Sequence, residues 1–328
     1  MTPTHADPLA IARHWLPDAS LSTLRHACPA GSPERAVARH VVQDAHGQAY
    51  VLEGVRPEKA HARNLQAQTL QALADAGCHA LAPWLPLPNG DFLLPHADGL
   101  LWQLRPFVPG SPLPRRSYGD DAWRGQALAR FLADCSRAAS SLNLPWTRFL
   151  TRAYITRVMP LFAQRLPPLA DDLKPIVAEL RDFLDAEPTL PTAFAHGDFH
   201  PLNVLWTDHG ISAVIDWEFL GLKTAAYDAA NLLGCLGNDS PAWLTGPCAT
   251  AFVANWAADA HITPETLHFL PDLIAAVRFG WMREWCVRQQ RDMIVQELDF
   301  IWLVLDNRQL LRDRWRDAAA TRTAPHAP

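Results

Sequence analysis

One stretch of the chain restricts its fold and chemistry more than any other. It reads His196-Gly197-Asp198-Phe199-His200-Pro201-Leu202-Asn203-Val204-Leu205-Trp206, and after a short turn continues Val214-Ile215-Asp216-Trp217. Asp198 and Asn203 have the D-x-x-x-x-N spacing of a catalytic loop, with a histidine two residues before the aspartate. Between Asn203 and Asp216 lie two short β-prone runs separated by Asp208-His209-Gly210, the pattern of a tight hairpin. Such a hairpin would return Asp216 to the mouth of the loop that carries Asn203. Phosphoryl transfer calls for these groups: a carboxylate to orient an acceptor hydroxyl, and two oxygen ligands for a hard divalent cation that takes its remaining ligands from phosphates and water. Asp198 suits the first role, and Asn203 and Asp216 suit the second. Isolated Asp and Asn residues in loops mostly bond their own backbone. His196, Gly197, Asp198, Asn203 and Asp216 together, in this order and spacing, argue against that reading here. His196 is read as a prop of the loop, and His200 as a prop or a bystander.

These residues resemble the aminoglycoside phosphotransferase and choline kinase superfamily, whose loop is H-G-D-x-x-x-x-N followed by a hydrophobic-I-D-W/F-E segment. Asp228, in Ala226-Tyr227-Asp228-Ala229-Ala230, matches the acidic residue that the family carries beyond its metal segment. Gly197 stands where protein kinases carry arginine, and no A-P-E signature follows Asp216, which favours the small-molecule branch. The resemblance implies an α+β, two-lobed protein-kinase-like fold. Residues 1–107 would form an N-lobe with an antiparallel sheet and one main helix. Residues 108–328 would form a mostly helical C-lobe with the catalytic loop and hairpin inserted. It further implies transfer of the ATP γ-phosphoryl group to a hydroxyl of a metabolite or aminoglycoside-like acceptor, with Asp198 as base and Mg2+ on Asn203 and Asp216.

The remaining nucleotide contacts are thinner in the sequence. The turn Ala30-Gly31-Ser32-Pro33 lies where backbone N–H groups of Gly31 and Ser32 would cover phosphates, although a plain hairpin turn fits it equally. A hinge is placed at Arg105 to Gly110, so that backbone groups around Gln103 to Phe107 would meet adenine by family resemblance. The family's third-strand cation is missing, because that strand ends Tyr50-Val51-Leu52-Glu53. Either Glu53 meets Lys59 or Arg63 on the next helix, one of which supplies the phosphate contact, or Glu53 is a solvated edge-strand residue and the strand register is displaced. Loss of the cation also leaves open a chain that binds nucleotide without turning it over.

The wider chain agrees with an ordinary globular protein of 328 residues, 49% hydrophobic and 19% charged. Its net charge of -5 argues against a nucleic-acid or anionic-membrane partner. The apolar run Phe300 to Leu305 is far short of the roughly 20 residues of a spanning helix, and the N-terminus lacks the pattern of a signal peptide. A cytoplasmic protein follows as the expectation, with oligomeric state undetermined. The six cysteines form no C-x-x-C pair and are read as buried thiols. Helices are expected over 8–15, from Pro57 to about Gly77, and over 123–141, 148–166, 171–186, 222–236, 241–258, 264–284 and 297–315. Strands are expected over 21–28, 36–43, 48–55, 91–95 and 100–104. For the acceptor, Trp281, Glu284, Trp285, Asp292 and Glu297 offer aromatics beside carboxylates, against the alternative that they are core and solvated helix faces.

Overall fold

The computed structural model describes residues 7–22, 36–259 and 261–321. The turn with Gly31 and Ser32 falls outside them, as do Cys28 and the Ala/Arg/Pro tail from residue 322. The chain divides into two compact units, residues 1–111 with 205–215, and residues 112–204 with 216–328.

The first unit is built on a five-stranded sheet in the order β1-β2-β3-β5-β4: β1 (Ser20–Leu21), β2 (Ala38–Gln43), β3 (Ala49–Val55), β4 (Leu94–Pro95) and β5 (Leu101–Pro106). Every pairing is antiparallel. The Asp44 carboxylate accepts backbone N–H bonds from His46 and Gln48 and closes the β2–β3 turn. Alternation along the strands sends Val42, Leu52, Trp102 and Leu104 to one face, where they pack with Ile11 and Ala12 of α1 (Pro8–Ala12). Arg39, Glu53 and Gln103 project to the other face in one row across three strands, since Arg39 pairs with Glu53 and Glu53 with Gln103. Pro57 opens a 3-10 turn that leads into α2 (Ala60–Asp75), whose buried side carries Arg63, Gln66, Ala67, Thr69, Leu70 and Leu73. The hairpin of β7 (Val204–Trp206) and β8 (Ile211–Val214) forms as the sequence implies, after β6 (Thr192–Ala195). Its residues 205–215 group with the first unit through bonds such as Val214 N–H to Ala80 O and Ser111 N–H to Trp206 O.

The second unit is helical. Following α3 (Ala122–Ser140) come α4 (Thr151–Arg165), α5 (Pro167–Glu179), α6 (Arg181–Ala186), α7 (Tyr227–Asp239), α8 (Pro247–Trp256), α9 (Pro264–His268), α10 (Leu270–Arg288), α11 (Arg291–Asp306) and α12 (Arg308–Ala320). Helix α3 packs on α8, and α10 runs through the interior against α4, α7 and α11. The unit's small sheet pairs β6 with β9 (Gly221–Thr224) in antiparallel register, Phe194 opposite Leu222.

Several expectations are corrected here. Residues 221–224 are a strand and not the start of a helix, because they pair with β6, a strand that the sequence pattern does not announce. The expected helices over 171–186, 241–258, 264–284 and 297–315 are each divided, at Leu180, near Thr245, at Phe269 and at Asn307. The arginines of α12 are not only a solvated face: Arg312 lies 2.7 Å and Arg308 3.6 Å from the buried carboxylate of Asp272. Cys235, Cys248 and Cys286 are free, as expected, whereas Cys78 and Cys135 are not free thiols.

Candidate active site

The geometry around Asp198 starts from Asp228 in the first turn of α7. Its carboxylate is buried and accepts two backbone bonds from the loop, His196 N–H at 2.6 Å and Gly197 N–H at 2.8 Å. Charge-assisted bonds of this kind are among the stronger ones a protein makes. Burial pushes the Asp228 carboxyl up to about 6, against the opposing pull of the two N–H groups and of Lys223. Lys223 is itself pushed down to about 8 by burial, with Asp228 opposing, and its ammonium lies over the rings of Phe149 at 5.0 Å and Tyr227 at 5.2 Å.

Gly197 allows the turn that follows. Its φ of +85° lies in the left-handed region, and a β-carbon there would sit 2.0 Å from the Phe219 carbonyl oxygen. Asn231 on α7 donates to the Gly197 carbonyl at 3.4 Å. The fully buried His196 accepts the Asp198 N–H on Nδ1 at 3.1 Å, which places its ring proton on Nε2. Its ring lies 4.5 Å from that of Trp217. His196 is therefore a prop within the loop, as its position in the sequence suggests.

Asp198 and Asn203 are brought together directly. The Asn203 amide donates to the Asp198 carbonyl at 2.9 Å and to its carboxylate at 3.2 Å, so the amide oxygen is turned away from Asp198. His200 flanks the same carboxylate, its Nε2 3.6 Å from Asp198 Oδ2, and its ring edge faces Trp281 at 6.0 Å. Asp216 adopts φ +68°, a conformation that costs a non-glycine residue about 1–2 kcal/mol and that Asp tolerates better than most. Two oxygen donors of this kind, an amide and a carboxylate, fit a hard cation that keeps ligands for phosphate and water. No group of three or more His, Cys, Asp or Glu side chains suited to a metal occurs among the described residues.

The other residues singled out in the sequence are distributed differently. Glu297 is buried and tied to Arg278 by two bonds, one from Nε at 2.6 Å and one from Nη2. Trp285 donates its indole N–H to the same carboxylate at 3.2 Å. Glu284 pairs with Arg288 one turn on, and Asp292 is exposed at the start of α11. Of that set, Trp281 meets the Asp198 loop at His200.

In the first unit, Glu53 is 3% exposed on the central strand, which excludes the solvated-edge reading. Arg39 lies 2.6 Å and Arg105 3.6 Å from its Oε1, and Gln103 donates to Oε2 at 3.3 Å. Burial pushes the Glu53 carboxyl up, but the charges of Arg105, Arg39 and Arg63 with the Gln103 bond outweigh it and leave it below its ordinary range. Arg63 donates to Gln66 at 3.2 Å, and Lys59 ends the 3-10 turn. Phe107 commits its backbone N–H to Ala49 O at 2.9 Å, and Gln103 is fully buried with its side chain on Glu53. The sequence signal that Arg39 and Arg105 join this group was the two-residue period of the strands once their register is known.

Known proteins bear on this arrangement at several levels. Homoserine kinase of Sinorhizobium fredii (strain NBRC 101917 / NGR234) is 29% identical over 227 residues, 65% of this chain and 67% of that protein. Homoserine kinase of Acidiphilium cryptum (strain JF-5) is 30% identical over 168 residues, 45% of this chain, and the match spans only about half, 52%, of that relative's length. Among solved structures, the microcompartment-associated aminopropanol kinase superposes with a TM-score of 0.63 at 15% identity, covering 97% of this chain and 98% of the other. The amicoumacin kinase hAmiN, solved with AMP-PNP, Ca2+ and Ami, superposes with a TM-score of 0.61 at 16% identity, covering 82% and 86%. These similarities establish the protein-kinase-like fold of the small-molecule kinases. The sequence profile of the phosphotransferase enzyme family (APH) matches residues 35–270, a stretch that contains Glu53, the Asp198 loop, Asp216 and Asp228, and the chain belongs to that family.

Proposed function

We propose that the protein is an ATP-dependent small-molecule kinase that transfers the γ-phosphoryl group to a hydroxyl of a small metabolite. The observation that carries this reading is the Asn203 amide bridging the Asp198 carbonyl and carboxylate, on a loop whose two preceding N–H groups are held by Asp228. Asp198 is assigned to orient the acceptor hydroxyl and to take its proton as the new P–O bond forms. Its carboxylate is held in place by Asn203, and its backbone by His196. Asn203 and Asp216 are assigned to hold Mg2+, which when bound supplies positive charge for the phosphate oxygens. The Ca2+ solved with the amicoumacin kinase supports a divalent ion, and its AMP-PNP supports an adenine nucleotide. Gly31, Ser32, Lys59, Arg63, Gln103 and Phe107 remain the proposed nucleotide contacts of the first unit. For Phe107 the contact is confined to groups other than its N–H, which serves the sheet.

A small amino alcohol is the acceptor class we favour. The names of the relatives, homoserine kinase, and of one structural neighbour, aminopropanol kinase, both denote a hydroxyl on a small amine-bearing carbon chain. The test is calorimetric binding of ATP with and without Mg2+ to the wild type and to Asp216→Ala, followed by coupled turnover assays on homoserine and aminopropanol. Magnesium-dependent binding lost in Asp216→Ala, with turnover that falls about 10²-fold or more in Asp198→Asn, is the expected result. Wild-type protein that binds no ATP overturns it. Glu53 in place of the family's cation favours a second reading, nucleotide binding without transfer, which predicts binding with no turnover on any hydroxylated acceptor.

A further inference from the structure

One buried ionisable side chain beside the Asp198 loop has no part in the transfer assigned above. Lys223 lies in β9 opposite Ala193 of β6, and only 6% of it is exposed. Its stem runs along the loop, since a β-carbon on Gly197 would sit 2.9 Å from Lys223 Cε. Its ammonium faces the rings of Phe149 and Tyr227 and makes no hydrogen bond or ion pair among the described residues. We propose that Lys223, with the hydroxyls of Tyr227 and Tyr154, binds a carboxylate of the acceptor, so that the substrate is a hydroxylated amino acid and not an amino alcohol lacking the acid group. The inference rests on the kinase reading above and narrows its acceptor.

Three observations carry it. First, the polar ends gathered here are donors left unused. The Tyr227 and Tyr154 hydroxyls, both on half-buried residues, also make no hydrogen bond among the described residues. Phe149 holds the group together, its ring 5.7 Å from that of Tyr227 and 5.8 Å from that of Tyr154. An ammonium offers donors only, and each phenol can donate, so the ligand that satisfies all three accepts hydrogen bonds and, against the ammonium, carries negative charge. Second, the free charge around the group is positive. The Arg157 guanidinium lies 5.4 Å over the Tyr154 ring, and the Arg283 charge acts on the same phenol against the upward push of its burial. Both arginines are exposed, and neither is ion-paired among the described residues. The neighbouring carboxylates are engaged elsewhere: Asp228 takes the His196 and Gly197 N–H groups, and Glu284 pairs with Arg288. Third, the group adjoins the proposed base. Gly197 directly precedes Asp198, and the Tyr227 phenol is pushed up by burial and by the charges of Asp228, Tyr154 and Asp198. A short carbon chain with its hydroxyl on Asp198 then carries its carboxylate to Lys223.

The alternative is that Lys223 only braces Gly197 and balances Asp228, on which it acts through charge without an ion pair. The two readings differ in what the acceptor's acid group contributes. The experiment is steady-state turnover of the full chain with Mg-ATP on two matched pairs: homoserine against propanolamine, and serine against ethanolamine, each pair differing only in the carboxylate. It compares the wild type with Lys223→Met, Lys223→Arg, Tyr227→Phe and Tyr154→Phe. Thermal unfolding of each variant verifies that it folds, and calorimetry verifies that the wild type binds Mg-ATP.

The wild type should prefer the acid of at least one pair about tenfold or more in kcat/KM, the scale of one charge-assisted hydrogen bond. Lys223→Met should cut that preference about tenfold or more, chiefly by raising KM for the acid, and Lys223→Arg should restore part of it. Each Tyr→Phe variant should narrow the preference by a smaller factor. Equal or better use of the amino alcohols by the wild type overturns the inference and leaves the kinase reading intact. So does a Lys223→Met variant that slows acid and amino alcohol alike, the mark of a residue that only braces the loop. Should Lys223→Met fail to fold, the two Tyr→Phe variants decide, and an unchanged preference in both overturns the assignment. Wild-type protein that binds Mg-ATP but turns over neither acid also overturns the inference, and one that binds no Mg-ATP overturns the kinase reading with it.

Discussion

The substitution Asp228→Asn separates the two things this buried residue does, holding the Asp198 loop and carrying charge. The displacement of its carboxyl from the ordinary 3.8 to about 6 corresponds to about 3 kcal/mol of bias against the ionised form, at about 1.36 kcal/mol per tenfold change in proton affinity. The sign is that of a group whose folded-state value is raised. The stability it confers is fully present below pH 3.8 and is lost as pH rises through about 6. Between pH 4.5 and 7.5 the wild type should therefore lose about 2 kcal/mol from this group alone. Asparagine keeps the shape and one acceptor oxygen but turns an NH2 toward one of the two loop N–H groups, at a cost of about 1–3 kcal/mol that does not vary with pH. Urea unfolding of both proteins, monitored across that range, gives the difference directly. The Asp228→Asn variant should be the less stable at pH 4.5, and the gap should close or reverse by pH 7.5, while turnover falls at every pH because the loop is held by one bond in place of two. A stability difference constant to within about 0.5 kcal/mol across the range would refute the reasoning, since Asp228 would then not be the group that ionises.

Two further outcomes follow from the same unit. Gly197→Ala sets a β-carbon 2.0 Å from the Phe219 carbonyl oxygen at φ +85°, so it should destabilise by more than the about 1–2 kcal/mol of left-handed strain alone, read as a lowered Tm with loss of activity. Arg278→Met leaves the Glu297 carboxylate buried without its guanidinium and should cost about 3–5 kcal/mol in denaturant unfolding, whereas the double variant Arg278→Met, Glu297→Leu should recover most of it.

The Asp198 loop was legible in the sequence because its groups lie within a few residues of one another, and local spacing survives folding. The hairpin back to Asp216 was legible for the same reason: Asp208-His209-Gly210 can do little else than turn. Glu53 was not, because a strand read alone does not reveal whether it lies at an edge or at the centre, nor which side chains the neighbouring strands set beside it. Leu222 to Thr224 read as helix in the sequence since a short apolar run satisfies either period, and only pairing with the distant Thr192–Ala195 decides for a strand. Arg308 and Arg312 looked solvated because their partner, Asp272, lies on another helix. The Asp228 position matched a family pattern, but that its oxygens would take two backbone N–H groups more than thirty residues upstream is a tertiary fact.

The course of the chain through the two units has a practical bearing on how this protein can be dissected. The boundary is crossed at 111/112, at 204/205 and at 215/216, so neither unit is a continuous piece of sequence. A truncation that begins at Pro112 would still contain residues 205–215, now severed from the strands and loops with which they group, and one that ends at Ser111 would lack them. Asn203 and Asp216 stand just outside the last two crossings, so a deletion of the hairpin would join the two proposed cation ligands through a linker of altered length. Gene fragments and domain exchanges between relatives, designed on a single breakpoint, would thus confound misfolding with loss of function, and a chimera that respects this topology needs three junctions.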